Sequence, residues 1–176
     1  MKFIKYFFLF IVVVFGVVVM VGLNLSDNLY LEKSISLTGT SANQVYDMIH
    51  DMENWVHWFP HLKDDTSAKI VLYDDLHKPS MCQWDGNKFS GTAKITESHQ
   101  NQYLKIQFHS KEFGLVHSDF RIIQKPYSTS VIWGCRIPVE QDPLQKIVSH
   151  AVYKEIFLSC MNEGLQSLKI YLAQEV

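Results

Sequence analysis

The residues of this chain that could do chemistry are few and scattered. His57 and His61 stand four apart, with His50 upstream and Asp64 and Asp65 just beyond. A His-x-x-x-His pair holds a metal ion when both rings share one helix face. Pro60 falls between them and opposes a regular helix, so no metal centre is expected. Cys82, Cys135 and Cys160 are odd in number and far apart, with no Cys-x-x-Cys. That spacing supports neither a zinc ribbon nor a thioredoxin-type motif. It leaves small buried apolar residues, or one disulfide in an oxidising compartment. No Gly-x-Ser-x-Gly and no phosphate loop occurs, and no Ser/His/Asp or Cys/His set is recognisable. No catalytic residue and no cofactor is therefore assigned. Asp119, Glu97 or His109 could act as a general acid or base on a cavity wall; facing water, each is an ordinary surface charge.

Binding is a different matter. The stretch Asp51-Met-Glu-Asn-Trp55-Val-His-Trp58-Phe-Pro60-His61 packs large aromatics and a proline into one turn-forming segment. Such rings carry too much apolar area to lie idle in a loop. Trp55 and Trp58 read either as a gate over a cavity or as core that plugs the edge of a sheet. Trp84, Phe108, Phe120 and Trp133 fall within strand-like runs, where one of the two faces is interior. Met161, Leu165 and Leu168 share a face of the last helical run, and Met adapts to varied apolar surfaces. These nine residues are the candidate ligand-binding set, each with plain core packing as its alternative.

The elements that must position them follow from periodicity. Tyr30 to Thr38 alternates and suggests a first strand. Thr40 or Ser41 can cap a helix, with Gln44 placed to close a capping box and Val45, Met48 and Ile49 on one face. Six more strands follow: Ala68–Tyr73, Ser80–Trp84, Phe89–Glu97, Tyr103–Phe108, Leu115–Gln124 and Ser128–Ile137. Asp85-Gly86-Asn87 is a strong hairpin signal, and the row of short strands and turns marks an antiparallel meander. From Pro143 the period becomes helical. Leu144, Ala151, Leu158, Leu165 and Leu172 recur every seven residues, with Ile147, Met161 and Leu168 offset by three. This predicts a helix of about 30 residues, roughly 45 Å long, capped by Asp142 with Pro143 in its first turn. Sparse flanking charges favour packing on the sheet over a coiled coil. The order gives α+β, a curved antiparallel sheet of about seven strands wrapped on a long C-terminal helix. A bent sheet around one rod is expected to leave a cavity.

Tyr6 to Leu23 carries no charge, and as a helix it reaches about 27 Å, near the thickness of a hydrocarbon core. Lys2 and Lys5 precede it, and Asp27 and Glu32 follow. The N-terminus is then cytoplasmic and the domain extracytoplasmic. A cleaved signal peptide would have a shorter apolar core and a small-x-small site, so an uncleaved anchor is favoured. The division is residues 1–25 as a transmembrane anchor, 26–29 as a linker and 30–176 as the domain. A length of 176 residues, 47% of them hydrophobic, suffices for one core beside the anchor. A net charge of −2 with no basic cluster beyond the two leading lysines opposes nucleic-acid binding.

From Tyr30 to Ala173 the chain resembles the START-like superfamily, also called SRPBCC, within it the polyketide cyclase/dehydrase-like group. Three stretches carry the likeness. The first is Ile35 to Pro60, with Ala42, Val45, Tyr46, Asp47 and the Trp-x-x-Trp turn. The second is Gln83-Trp84-Asp85-Gly86-Asn87 followed by Gly91 and Ile95-Thr96-Glu97. The third is Thr129 to Trp133, then the helix with Gly164-Leu165 and Leu168-Lys169. None of these is a catalytic signature. The resemblance implies a helix-grip fold around an apolar cavity that binds lipids, sterols, polyketides or similar molecules, with catalysis in a minority of members. The anchor is extra to the usual pattern, and Lys78-Pro79 stands where a glycine-containing loop is common. Three functions stay open: an anchored binding module for an apolar small molecule or lipid, a cyclase, dehydratase or hydrolase acting on an apolar substrate, and an interaction module with a filled core.

Overall fold

The computed structural model describes residues 2–74 and 79–174. It opens with an exposed apolar helix, α1 (Lys2–Asn24), followed by β1 (Asn28–Thr38). Helix α2 (Ala42–His50) leads through a turn of 3-10 helix into two single-turn helices, α3 (Trp55–Trp58) and α4 (Pro60–Lys63). Six strands follow: β2 (Lys69–Asp74), β3 (Pro79–Asp85), β4 (Ser90–His99), β5 (Tyr103–Ser110), β6 (Gly114–Gln124) and β7 (Ser128–Pro138). The chain closes with α5 (Pro143–Gln174). Lys78, read as a departure from the usual turn, lies outside the described residues.

Local signals act as the sequence implies. Ser41 takes the cap of α2: its hydroxyl accepts from the Gln44 N–H, and the Gln44 side-chain oxygen accepts in turn from the Ser41 N–H. Asp142 accepts from the Leu144 and Gln145 N–H groups at the head of α5, each at 3.0 Å. The Asp85-Gly86-Asn87 turn joins β3 to β4. The buried Asp65 secures it, accepting from the Lys88 N–H at 2.8 Å.

The sheet runs β1-β7-β6-β5-β4-β3-β2, so β1 reaches across to pair with the last strand and the rest form a meander, antiparallel throughout. On β6 and β7, Val116, Ser118, Phe120 and Ile122, then Val131, Trp133, Cys135 and Ile137, are buried. His117, Asp119, Arg121 and Arg136 alternate with them on the outer face, as a one-sided sheet requires. Glu97 and Asp119, weighed as cavity-wall acids, belong to this outer face. Glu97 pairs with His99 and Lys105, and Asp119 with Arg121.

The concave face holds a filled core rather than a large hollow. Trp55, Trp58 and Phe120 are fully buried, and Trp133 nearly so. Trp58 meets Phe120 and Trp133 edge-on, with ring centroids 5.9 and 6.1 Å apart, while Phe120 stacks on Trp133 at 4.9 Å. The indole N–H of each of these three tryptophans is satisfied. Trp55 Nε1 donates to the Ile49 carbonyl at 2.8 Å, Trp58 Nε1 to Met48 at 3.3 Å, and Trp133 Nε1 to Ser118 Oγ at 2.5 Å. Rings packed at these distances leave little room between sheet and helix.

Helix α5 meets this core with its C-terminal half, where Met161, Leu165, Leu168 and Leu172 are buried. Gly164 lets the helix approach: a Cβ there would come within 2.8 Å of the Trp133 ring and 3.2 Å of Pro60 Cδ. The N-terminal half departs from the expected stripe on the sheet. Leu144 and Ala151 are exposed, and Val148, Val152 and Ile156 beside them are exposed as well.

Gly164→Ala should therefore overpack the joint between α5, Trp133 and Pro60. We expect a loss of about 1–3 kcal/mol of stability, read as a lowered urea midpoint for the full chain in mild detergent. An unchanged midpoint would show that the joint yields freely.

Candidate functional site

The space left by the aromatic core lies at one end of the grip, between the β5–β6 hairpin, α4 and α5. An apolar slot of about 60 Å³ opens there, walled by Phe59, Trp84, Phe108, Val116, Trp133 and Met161, with Phe113 and Phe157 toward its mouth. It leads to a wider groove of about 620 Å³, bordered by Pro60, Phe89, Phe113 and Ile156 with the polar Asp64, Glu155, Ser159 and Glu163. His61 and Cys160 line both spaces and mark their junction.

The nine candidate residues therefore divide. Trp84, Phe108, Trp133 and Met161 border the slot. Trp55, Trp58, Phe120, Leu165 and Leu168 do not; they form the packed layer behind it. Trp55 and Trp58 are correspondingly core rather than a gate. Their own N–H groups tie them to α2 and turn them inward, and the mouth is framed by Phe113 and Phe157, which pack edge-on at 5.1 Å. These two phenylalanines, with His61 and Cys160, were missed as site residues. The signal for two of them is the apolar set Val152, Ile156, Phe157 and Cys160 on α5, which lies outside the seven-residue repeat.

Among the described residues no group of three histidines, cysteines or acids is placed to share a metal ion. His57 is turned away from His61 and stacks on Tyr171 at 4.5 Å. His61 sits between Phe59 and Phe89, with Cys160 Sγ 3.8 Å from its Nε2. Burial lowers the His61 pKa, opposed by the more distant Glu112 and Asp64 carboxylates. Burial also pushes the Cys160 thiol up to about 12. Both groups are neutral at pH 7, so the pair has the geometry of a Cys–His couple without the thiolate that nucleophilic chemistry needs. At the groove's outer rim Glu163 has a raised pKa, caused first by its hydrogen bond with Asp64 and then by burial and that neighbour's charge.

One polar group on the slot wall is unmatched. Trp84 is buried, and its indole Nε1 has no hydrogen-bond partner among the described residues. A buried donor left alone costs about 1–3 kcal/mol.

A seven-stranded antiparallel grip closed by a long terminal helix is an architecture that solved structures share. The fold is START-like. A START superfamily protein from Mycobacterium smegmatis superposes with a TM-score of 0.61 at 17% identity, covering 84% of this chain and 99% of that one. A protein of unknown function from Staphylococcus aureus gives 0.66 at 12% identity, over 85% and 97% of the two chains. A protein of the dynemicin biosynthetic locus gives 0.57 at 12% identity, over 85% of this chain and 48% of that one. No family model matches the sequence, and no curated protein is similar to it. At these identities the START-like likeness is one of architecture, and the slot's lining belongs to this chain.

The buried His61 makes a pH-dependent contribution with a definite sign. Its folded-state pKa lies below the unfolded value of about 6.5. The unfolded chain then binds more protons, and stability falls as pH drops below that value until folded His61 itself protonates. His61→Phe should flatten the decline in thermal midpoint between pH 7 and 5; an unaltered pH profile would assign the decline to other groups.

Proposed function

We propose that this protein is a membrane-anchored binding module for an apolar small molecule or lipid, with the marginal slot and groove as its site. The supporting observation is the slot itself: aromatic and thioether walls, one unmatched indole donor, and an open groove leading to it. At about 60 Å³ the slot is far below the roughly 300–1,000 Å³ that encloses a drug-sized ligand. The ligand is accordingly one that inserts a slender apolar end and lies along the groove with the remainder. An acyl chain terminus or the edge of a ring fits that description. An acceptor oxygen on the inserted end would satisfy Trp84 Nε1. Burial of apolar area, at about 25 cal/mol per Å² before ordering costs, supplies the affinity.

The anchor supports the same reading. Phe3–Asn24 is long and apolar enough to cross a bilayer, and the leading lysines favour a cytoplasmic N-terminus with the domain outside. An anchored domain works where apolar ligands dissolve. Binding is favoured over catalysis because the histidine–cysteine pair at the junction of slot and groove, His61 and Cys160, is held neutral by burial.

Gentle extraction of the full chain, followed by mass spectrometry of co-purifying apolar compounds, tests this. The native protein should carry a bound compound. Cys160→Phe, which closes the junction, should lower the load about tenfold, while Cys160→Ser should retain it. A native protein that carries nothing, or a Phe variant with an equal load, would overturn the assignment of the site.

A further inference from the structure

The exposed row on α5 is continuous with the apolar helix that precedes the domain. Gly22 of α1 rests on the backbone of Pro143, so closely that a Cβ would lie 2.1 Å from the Pro143 carbonyl oxygen. The joint is also latched by polar bonds. Lys146 pairs with Asp27, its Nζ donates to the Leu25 carbonyl at 3.3 Å, and His150 Nε2 lies 2.9 Å from the Ser26 carbonyl oxygen. The first turn of α5 is thus fixed at the level where α1 ends.

From that joint, Leu144, Val148, Val152 and Ile156 follow at every fourth position, which places them along one face of the helix. All are exposed with α1 in place, Val148 to 60%. The same row reaches Cys160, at the junction of groove and slot. From Pro143 to Tyr153 the chain has one Lys or Arg and no Asp or Glu. That residue, Lys146, is buried and paired. The first exposed charges on α5 are Lys154 and Glu155, and Glu155 stands at the groove's rim. A helical surface that exposes valines and leucines for three turns without a charge is unlike a solvated face. Its position beside a bilayer-length helix indicates what covers it.

We propose that the first three turns of α5 are immersed in the lipid interface, and that the groove opens from this face toward the bilayer, so that ligand enters from the membrane. The inference rests on the anchor reading above and adds to it an orientation and an entry route. Lys154 and Glu155 mark the headgroup level, and Ile156 and Cys160 carry the apolar row onward to the slot. Glycine at position 22 and the Lys146–Asp27 latch hold the domain in this pose.

The test uses the full chain in vesicles of phosphatidylcholine and phosphatidylglycerol, in a Cys160→Ser background whose remaining cysteines are buried. An environment-sensitive fluorophore is attached at Val148→Cys, Val152→Cys, Val17→Cys or Tyr127→Cys, one per sample. Tyr127 is 88% exposed, and its turn lies at the far end of β1 from the anchor, about 34 Å away. Lipids carrying a nitroxide on the acyl chain should quench positions 17, 148 and 152 about twofold or more and leave 127 unchanged. Quenching at 17 without quenching at 148 and 152 would overturn the immersed helix while the anchor stands. Absence of quenching at 17 would defeat the anchor reading and this inference with it. Shielding of 148 and 152 from aqueous iodide without lipid quenching would assign the face to a second copy of the chain, and would also overturn the proposal. Circular dichroism of each labelled variant confirms the fold.

Discussion

The structure depends on one packing constraint: the rings of Trp55 and Trp58 occupy the concave face of the sheet against Phe120 and Trp133. Short helices that might have roofed a hollow instead push their side chains into it. Gly164 completes the arrangement by letting α5 settle on Trp133 and Pro60. Close-packed aromatics cannot also enclose a roomy cavity. The free volume is therefore displaced to the margin, where the β5–β6 hairpin and α5 diverge.

That displacement sets the character of the site. Its inner wall is aromatic and sulfur-bearing, and its mouth belongs to Phe113 and Phe157. His61 and Cys160 stand at the throat, close to one another yet both uncharged, because the surroundings that bring them together also exclude water. Low polarity around a potential acid–base pair suppresses the charged forms that catalysis would use. The same low polarity favours an apolar ligand end, with Trp84 Nε1 as the unmatched donor among the described residues of the wall.

Much of the fold was legible from the residues alone. All seven strands, the Ser41 capping box and the Asp142 cap of α5 match their local signals, because alternation, capping and turn chemistry act over a few neighbouring residues. The aromatic positions were legible as important but not as to role. Alternation gave Trp84, Trp133 and Phe120 an interior face. It could not say that Trp84 and Trp133 would reach the slot while Phe120 would stand behind it. The seven-residue repeat in α5 was misleading in its first half, since a repeat reports that a face is apolar and not what covers it. Ala151 and Leu144 lie on such a face and are exposed.

The sequence by itself determined the element order, the one-sided sheet, the bilayer-length helix and the length of α5, all of which follow from local periodicity and composition. Only the tertiary structure decided that the hollow is filled, that His61 meets Cys160 across 99 positions, and that Lys146 reaches Asp27 across 119. Those outcomes depend on where rings of fixed volume come to rest when distant segments share one interior. No local pattern encodes that sum of volumes.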